Sequence, residues 1–93
     1  MKYVYVILDN VSGVYTPLFL ERNERAAKRQ FAMFLANMQY SPSNFDLYVL
    51  AAFCEDSTSI TDANRLHIIN GAALDEPVAT PASINEEALK YVP

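Results

Sequence analysis

Apolar residues recur along this chain in two rhythms. Tyr3 to Leu8 is an unbroken run of Tyr, Val, Ile and Leu, the make-up of a strand buried on both faces or nearly so. Asn10-Val11-Ser12-Gly13 interrupts it as a turn, with Gly13 placed for positive φ. Val14 to Leu20 reads as a second strand, antiparallel to the first because the connection is short. Pro17 cannot donate to a ladder, so this strand belongs at an edge or a bulge. The rhythm then changes. Ala27, Phe31, Phe34, Leu35 and Met38 follow one another at helical spacing and form one apolar stripe. Asn23 is a natural N-cap, Glu24 suits the first turn, and Ser41-Pro42 predicts an end near Gln39.

Beyond the loop Tyr40–Asn44, a third strand is predicted over Phe45–Cys54. Alternation would send Phe45, Leu47, Val49, Ala51 and Phe53 one way and Tyr48, Leu50, Ala52 and Cys54 the other. Glu55–Asn64 is polar and reads as a loop or long hairpin turn, and Arg65–Asn70 as a short fourth strand ended by Gly71. The order β-β-α-β-β predicts an α+β fold: a small antiparallel sheet with one amphipathic helix on one face. Residues 1–71 form the single domain in this reading. Residues 72–93 are an irregular acidic, Pro-containing tail, with a short helix at 84–91 that Ser83 would cap and Glu86 support. One helix covers one face only, so the tail, a second copy or a ligand must cover the other.

Composition sharpens this picture. With 52% apolar residues, six Tyr and five Phe the chain is a folded globule. At 93 residues it suffices for one domain and buries roughly 60–65% of its unfolded surface. Charge is uneven: residues 1–45 carry five basic and three acidic side chains, net +2, and residues 46–93 two basic and eight acidic, net −6, which sum to −4. Nucleic-acid binding would therefore need a local patch and not the global field. A lone cysteine, Cys54, no secretory leader pattern and no run of ~20 apolar residues point to a reducing cytoplasm and no membrane partner.

Chemistry-bearing residues are sparse. The single His, His67, sits inside a strand and Cys54 closes one, with no pattern that makes them a nucleophile–base pair. Asp9, Asp46, Glu55, Asp56 and Asp62 match no calcium-loop spacing, and two glycines make no phosphate loop. No catalytic residue, metal site or cofactor is expected. Four of the seven basic residues, Arg22, Arg25, Lys28 and Arg29, fall within eight positions around the helix start. They oppose the helix dipole, which favours a phosphate contact over a stabilising role. Glu21–Arg25 and Glu24–Lys28 are i,i+4 pairs that would neutralise half the cluster and leave a solvated face. A second surface is aromatic: Tyr3, Tyr5, Tyr15, Phe19, Tyr48 and Phe53. It suits a homodimer or tail interface, or a platform that stacks single-stranded bases.

Four segments carry a family resemblance: the strand leading to Asp9, Tyr15-Thr16-Pro17-Leu18-Phe19, the basic helix with Ala26, Arg29 and Phe31, and Asp46-Leu47-Tyr48-Val49-Leu50. Over roughly residues 3–55 the chain resembles the small non-structural protein of gokushoviruses, single-stranded DNA phages of the microvirus group. The hairpin Glu55-Asp56-Ser57-Thr58-Ser59 departs from that family's pattern in lacking its Gly. The resemblance implies a non-enzymatic protein of the host bacterial cytoplasm that assists genome replication, single-strand synthesis or packaging. Its partner would be single-stranded DNA or a viral or host replication or capsid protein. The alternative is a homo-oligomeric protein–protein module without nucleic-acid contact.

Overall fold

The computed structural model describes residues 1–74. Six elements organise them: strands β1 (Lys2–Asp9), β2 (Val14–Tyr15) and β3 (Phe19–Glu21), helix α1 (Glu24–Ala36), and strands β4 (Phe45–Cys54) and β5 (Ser59–Asn70). Single 3-10 turns follow at Pro42–Asn44 and Gly71–Ala73. The α+β expectation holds, with five strands in place of four. All pairings are antiparallel in the order β2-β1-β4-β5, and β3 also pairs with β1. The expected tail helix at 84–91 lies outside the described residues.

The fifth strand arises because the predicted Val14–Leu20 strand breaks at Pro17. Tyr15 lies opposite Leu8 and Phe19 opposite Tyr5, so this edge holds one residue more than β1 between the same points. Thr16 bridges the break: its N–H donates to Ile7 O at 2.8 Å, and its hydroxyl oxygen accepts from Ile7 N–H at 3.0 Å.

Both β3 and β4 run antiparallel to β1 and flank it on opposite sides. The chain must therefore cross over β1 between them, and α1 is that crossing. Asn23 caps it by accepting from Ala26 N–H at 2.8 Å. The helix stops at Ala36, earlier than the expected Gln39, because Asn37 turns back to donate from Nδ2 to Met33 O at 2.9 Å. The predicted stripe is the buried one: Ala27, Phe31 and Leu35 are sealed against Tyr5, Ile7, Phe45, Leu47 and Val49, with Phe34 and Met38 at the margin. Phe34 meets Phe45 edge-on at 5.3 Å. The last described turn belongs to the same core. Gly71 is buried against Pro42 and Leu35, and Leu74 packs on the cluster.

Strand alternation departs from expectation at a bulge. Tyr5 pairs with Val49 but Val4 with Ala51, which leaves Leu50 as an extra residue. Paired residues share a face, so Ala51 and Phe53 pass to the side away from the helix, where Val4 and Lys2 also lie. The predicted single face of Phe45, Leu47, Val49, Ala51 and Phe53 is thus split after Val49.

The predicted Glu55–Asn64 loop is also corrected. Only Glu55–Thr58 turns, and Ser59–Asp62 already pair with Cys54–Ala51. Their polarity hid the strand because this edge ribbon is exposed and needs no apolar alternation. Between Asp62 and Leu66 the ladder is broken by Ala63, Asn64 and Arg65. Asn64 and Arg65 take φ of +57° and +51°, a left-handed step that costs roughly 1–2 kcal/mol per residue for ordinary side chains.

Candidate functional site

Two surfaces carry the residues singled out in the sequence, and they lie on opposite sides of the sheet. The first belongs to the start of α1. Arg22, Arg25 and Arg29 are exposed, and Lys28 is half-buried. Arg25 and Arg29 line a shallow groove with Asn23 and Ala26. Neither expected ion pair closes: among the described residues the only acid–base contacts within 4.0 Å are Lys2–Glu55 and His67–Asp46. The arginines are therefore not held in ion pairs among the described residues.

The second surface is the sheet face away from the helix. The aromatic set divides here. Tyr3, Tyr5 and Phe19 lie on the helix side; Tyr5 is buried, stacks on Phe19 at 5.8 Å and stands 6.5 Å from Tyr3. Burial pushes the Tyr5 phenol above its usual range, and the Glu24 charge adds to this. Tyr15, Tyr48 and Phe53 lie on the open face. Val6 and Leu8 are buried beside Tyr48 and Tyr15, their partners in the ladder, whereas Leu20 and Ile60 are 49% and 69% exposed.

Arg65 joins this face by way of the left-handed step in β5. Its guanidinium lies 4.4 Å from the centre of the Tyr48 ring and 5.6 Å from that of Tyr15. His67 meets Tyr48 edge-on at 5.3 Å. Sequence reasoning did not single out this grouping. Its one local signal is Asn64, a residue type that tolerates the left-handed region.

Asp46 anchors the end of the same face. It accepts from His67 Nε2 at 2.8 Å, from Asn70 Nδ2 at 3.1 Å and from Asn10 Nδ2. Desolvation works to raise its carboxyl, and the three hydrogen bonds outweigh it, so the group stays below the usual carboxylate range. Asn10 and Asn70 also donate to Asn44 O and to Ser43 O and Phe45 O. Asp46 therefore ties the first turn to the end of β5, and Asn10 and Asn70 tie both to the Pro42–Asn44 turn.

The other acids have local roles. Asp9 accepts from the Val11 and Ser12 N–H groups of the first turn, which lowers its carboxyl, and Asp62 accepts from Asn64 N–H at 2.6 Å. Cys54 pairs with Ser59 and His67 with Tyr48, six positions apart along β4, so strand pairing does not bring them together. Hydrogen bonding from Ser57 holds the Cys54 thiol below its usual range.

A protein-family model described as "Phage ORF5 protein" matches residues 2–74, the same stretch that forms this fold. The chain belongs to that phage family. The match takes in both surfaces and extends past the four segments whose pattern suggested a phage protein. No curated protein and no solved structure matches the chain. No described helix is long and apolar enough to cross a membrane.

Proposed function

We propose that this phage protein is non-enzymatic and assists viral genome replication, or single-strand synthesis and packaging, by holding single-stranded DNA in the host bacterial cytoplasm. The observation that carries this reading is the trio Arg22, Arg25 and Arg29, exposed around the helix start with no carboxylate within 4.0 Å among the described residues. Such a patch neutralises phosphates locally in a chain whose net charge is −4. Membership of a phage family supports the setting, and the likeness of Tyr15–Phe19 and Asp46–Leu50 to the gokushovirus non-structural protein supports the narrower assignment. The test is fluorescence anisotropy of a labelled single-stranded oligonucleotide at low and moderate salt. Reversal of Arg25 and Arg29 to Glu should abolish salt-sensitive binding; unchanged binding would remove DNA contact from the helix.

A second reading is favoured by the exposure of Leu20 and Ile60 on the open face. In it the protein is a homodimer that docks a replication or capsid protein. A monomeric mass at high micromolar concentration would exclude it.

A further inference from the structure

Arg65 is held in a way that a merely structural arginine does not require. Two consecutive non-glycine residues, Asn64 and Arg65, adopt left-handed backbone in the middle of a strand, at φ +57° and +51°. The result of that strain is to return the guanidinium over the open sheet face, above Tyr48 at 4.4 Å and within 5.6 Å of Tyr15. Strain of this kind persists where surrounding structure enforces it, and it concentrates at ligand-holding positions.

The acids of this face are already engaged. Asp46 is held by His67, Asn10 and Asn70, Glu55 faces Lys2, and Asp62 accepts from Asn64 N–H. No carboxylate lies within 4.0 Å of Arg65 among the described residues. The face thus offers an exposed cationic plane, an exposed phenol ring at Tyr15 and a second ring beneath at Tyr48.

The geometry points to Tyr15, Tyr48 and Arg65 as a base-stacking site for single-stranded nucleic acid, on the side of the sheet opposite the phosphate-holding arginines of the helix. It rests on the reading of the chain as a single-strand binder. Planar bases stack on aromatic rings and on guanidinium planes alike, and the cation also meets the phosphate that follows the base. A nucleotide suits this face better than a carboxylate of a second copy, because it brings a plane to stack as well as a charge. The negative charge that Arg65 does not find within 4.0 Å among the described residues is what a nucleotide brings.

The experiment compares two labelled strands of equal length, one of oligo-deoxythymidine and one abasic. They share phosphates and differ in bases. The wild-type chain should bind the thymidine strand more tightly. Tyr15→Ala should weaken thymidine binding on the order of ten-fold and leave abasic binding unchanged. Arg65→Lys keeps the charge and loses the plane, so it too should lose the preference for bases. Both side chains are exposed, and an unchanged thermal midpoint confirms the fold. Equal wild-type affinity for the two strands, or variants that keep the preference, would overturn the stacking site and leave the Arg25–Arg29 reading standing. Binding of neither strand would overturn both. Variants that instead change the mass in solution, with DNA binding unaltered, would overturn the site in favour of a contact between copies.

Discussion

Two glycines with different reasons for being glycine set the residue scale. A Cβ on Gly71 would stand 2.2 Å from Pro42 O and 2.9 Å from Pro42 C, against backbone that has no freedom to yield. Gly71→Ala is therefore expected to cost at least the roughly 1–3 kcal/mol typical of overpacking, read as a lowered midpoint in chemical unfolding. Gly13 has open space around it but a φ of +74°, so Gly13→Ala should cost only about 1–2 kcal/mol. Asp46 adds a pH dependence. Its carboxyl is depressed in the folded chain by its hydrogen bonds from His67, Asn10 and Asn70, against desolvation. Its contribution is thus present above the ordinary unfolded carboxylate value near ~3.9 and is lost as pH falls through the lower folded one. Unfolding midpoints measured from pH 6 downward should fall, and Asp46→Asn should flatten the part of that fall due to this group. A parallel slope in wild type and variant would assign the acid sensitivity elsewhere.

Elements show where sequence legibility ends. The helix stripe Ala27, Phe31, Phe34, Leu35 and Met38 was readable because one face meets the core and the other meets water, so periodicity records burial. β1 and β4 were readable for a different reason: their nearly continuous apolar runs mark strands in the middle of the sheet. Three features were not. The Ser59–Asp62 part of β5 is exposed, so no alternation marked it. Leu50 flips the parity of β4, and nothing in an apolar run distinguishes a bulged residue from its neighbours. Arg65 reaches its aromatic partners through two backbone angles that composition does not encode. The break at Pro17 was half legible: proline announced an edge or bulge, but the repair by Thr16 depends on a side-chain oxygen in the place of a ladder acceptor. Thr16→Val keeps the shape and removes that oxygen. It is expected to cost about 1–3 kcal/mol through the unpaired Ile7 N–H, with faster hydrogen exchange at Ile7 as the local signature.

At the scale of the whole molecule, a chain of net charge −4 keeps a cationic patch on one side of its sheet and a cation over aromatic rings on the other. The three helix arginines should contribute about −2 to the slope of log affinity against log salt. Arg25→Ala with Arg29→Ala should remove about 1.4 of that slope, measured by the same anisotropy titration. An unaltered slope would place the phosphate contacts away from the helix. The candidate site was legible at the helix, where four basic residues are adjacent in sequence. It was not legible on the sheet, where Tyr15, Tyr48 and Arg65 are brought together only by pairing. The order of synthesis adds a final consequence. β1 precedes the other described strands in the chain yet sits in the middle, between β2 and β3 on one side and β4 on the other. At ordinary rates of translation its second edge waits roughly 2–9 s for Cys54 to be joined to the chain. Until β4 is joined, β1 can pair only with β2 and β3, and its other edge has no native partner.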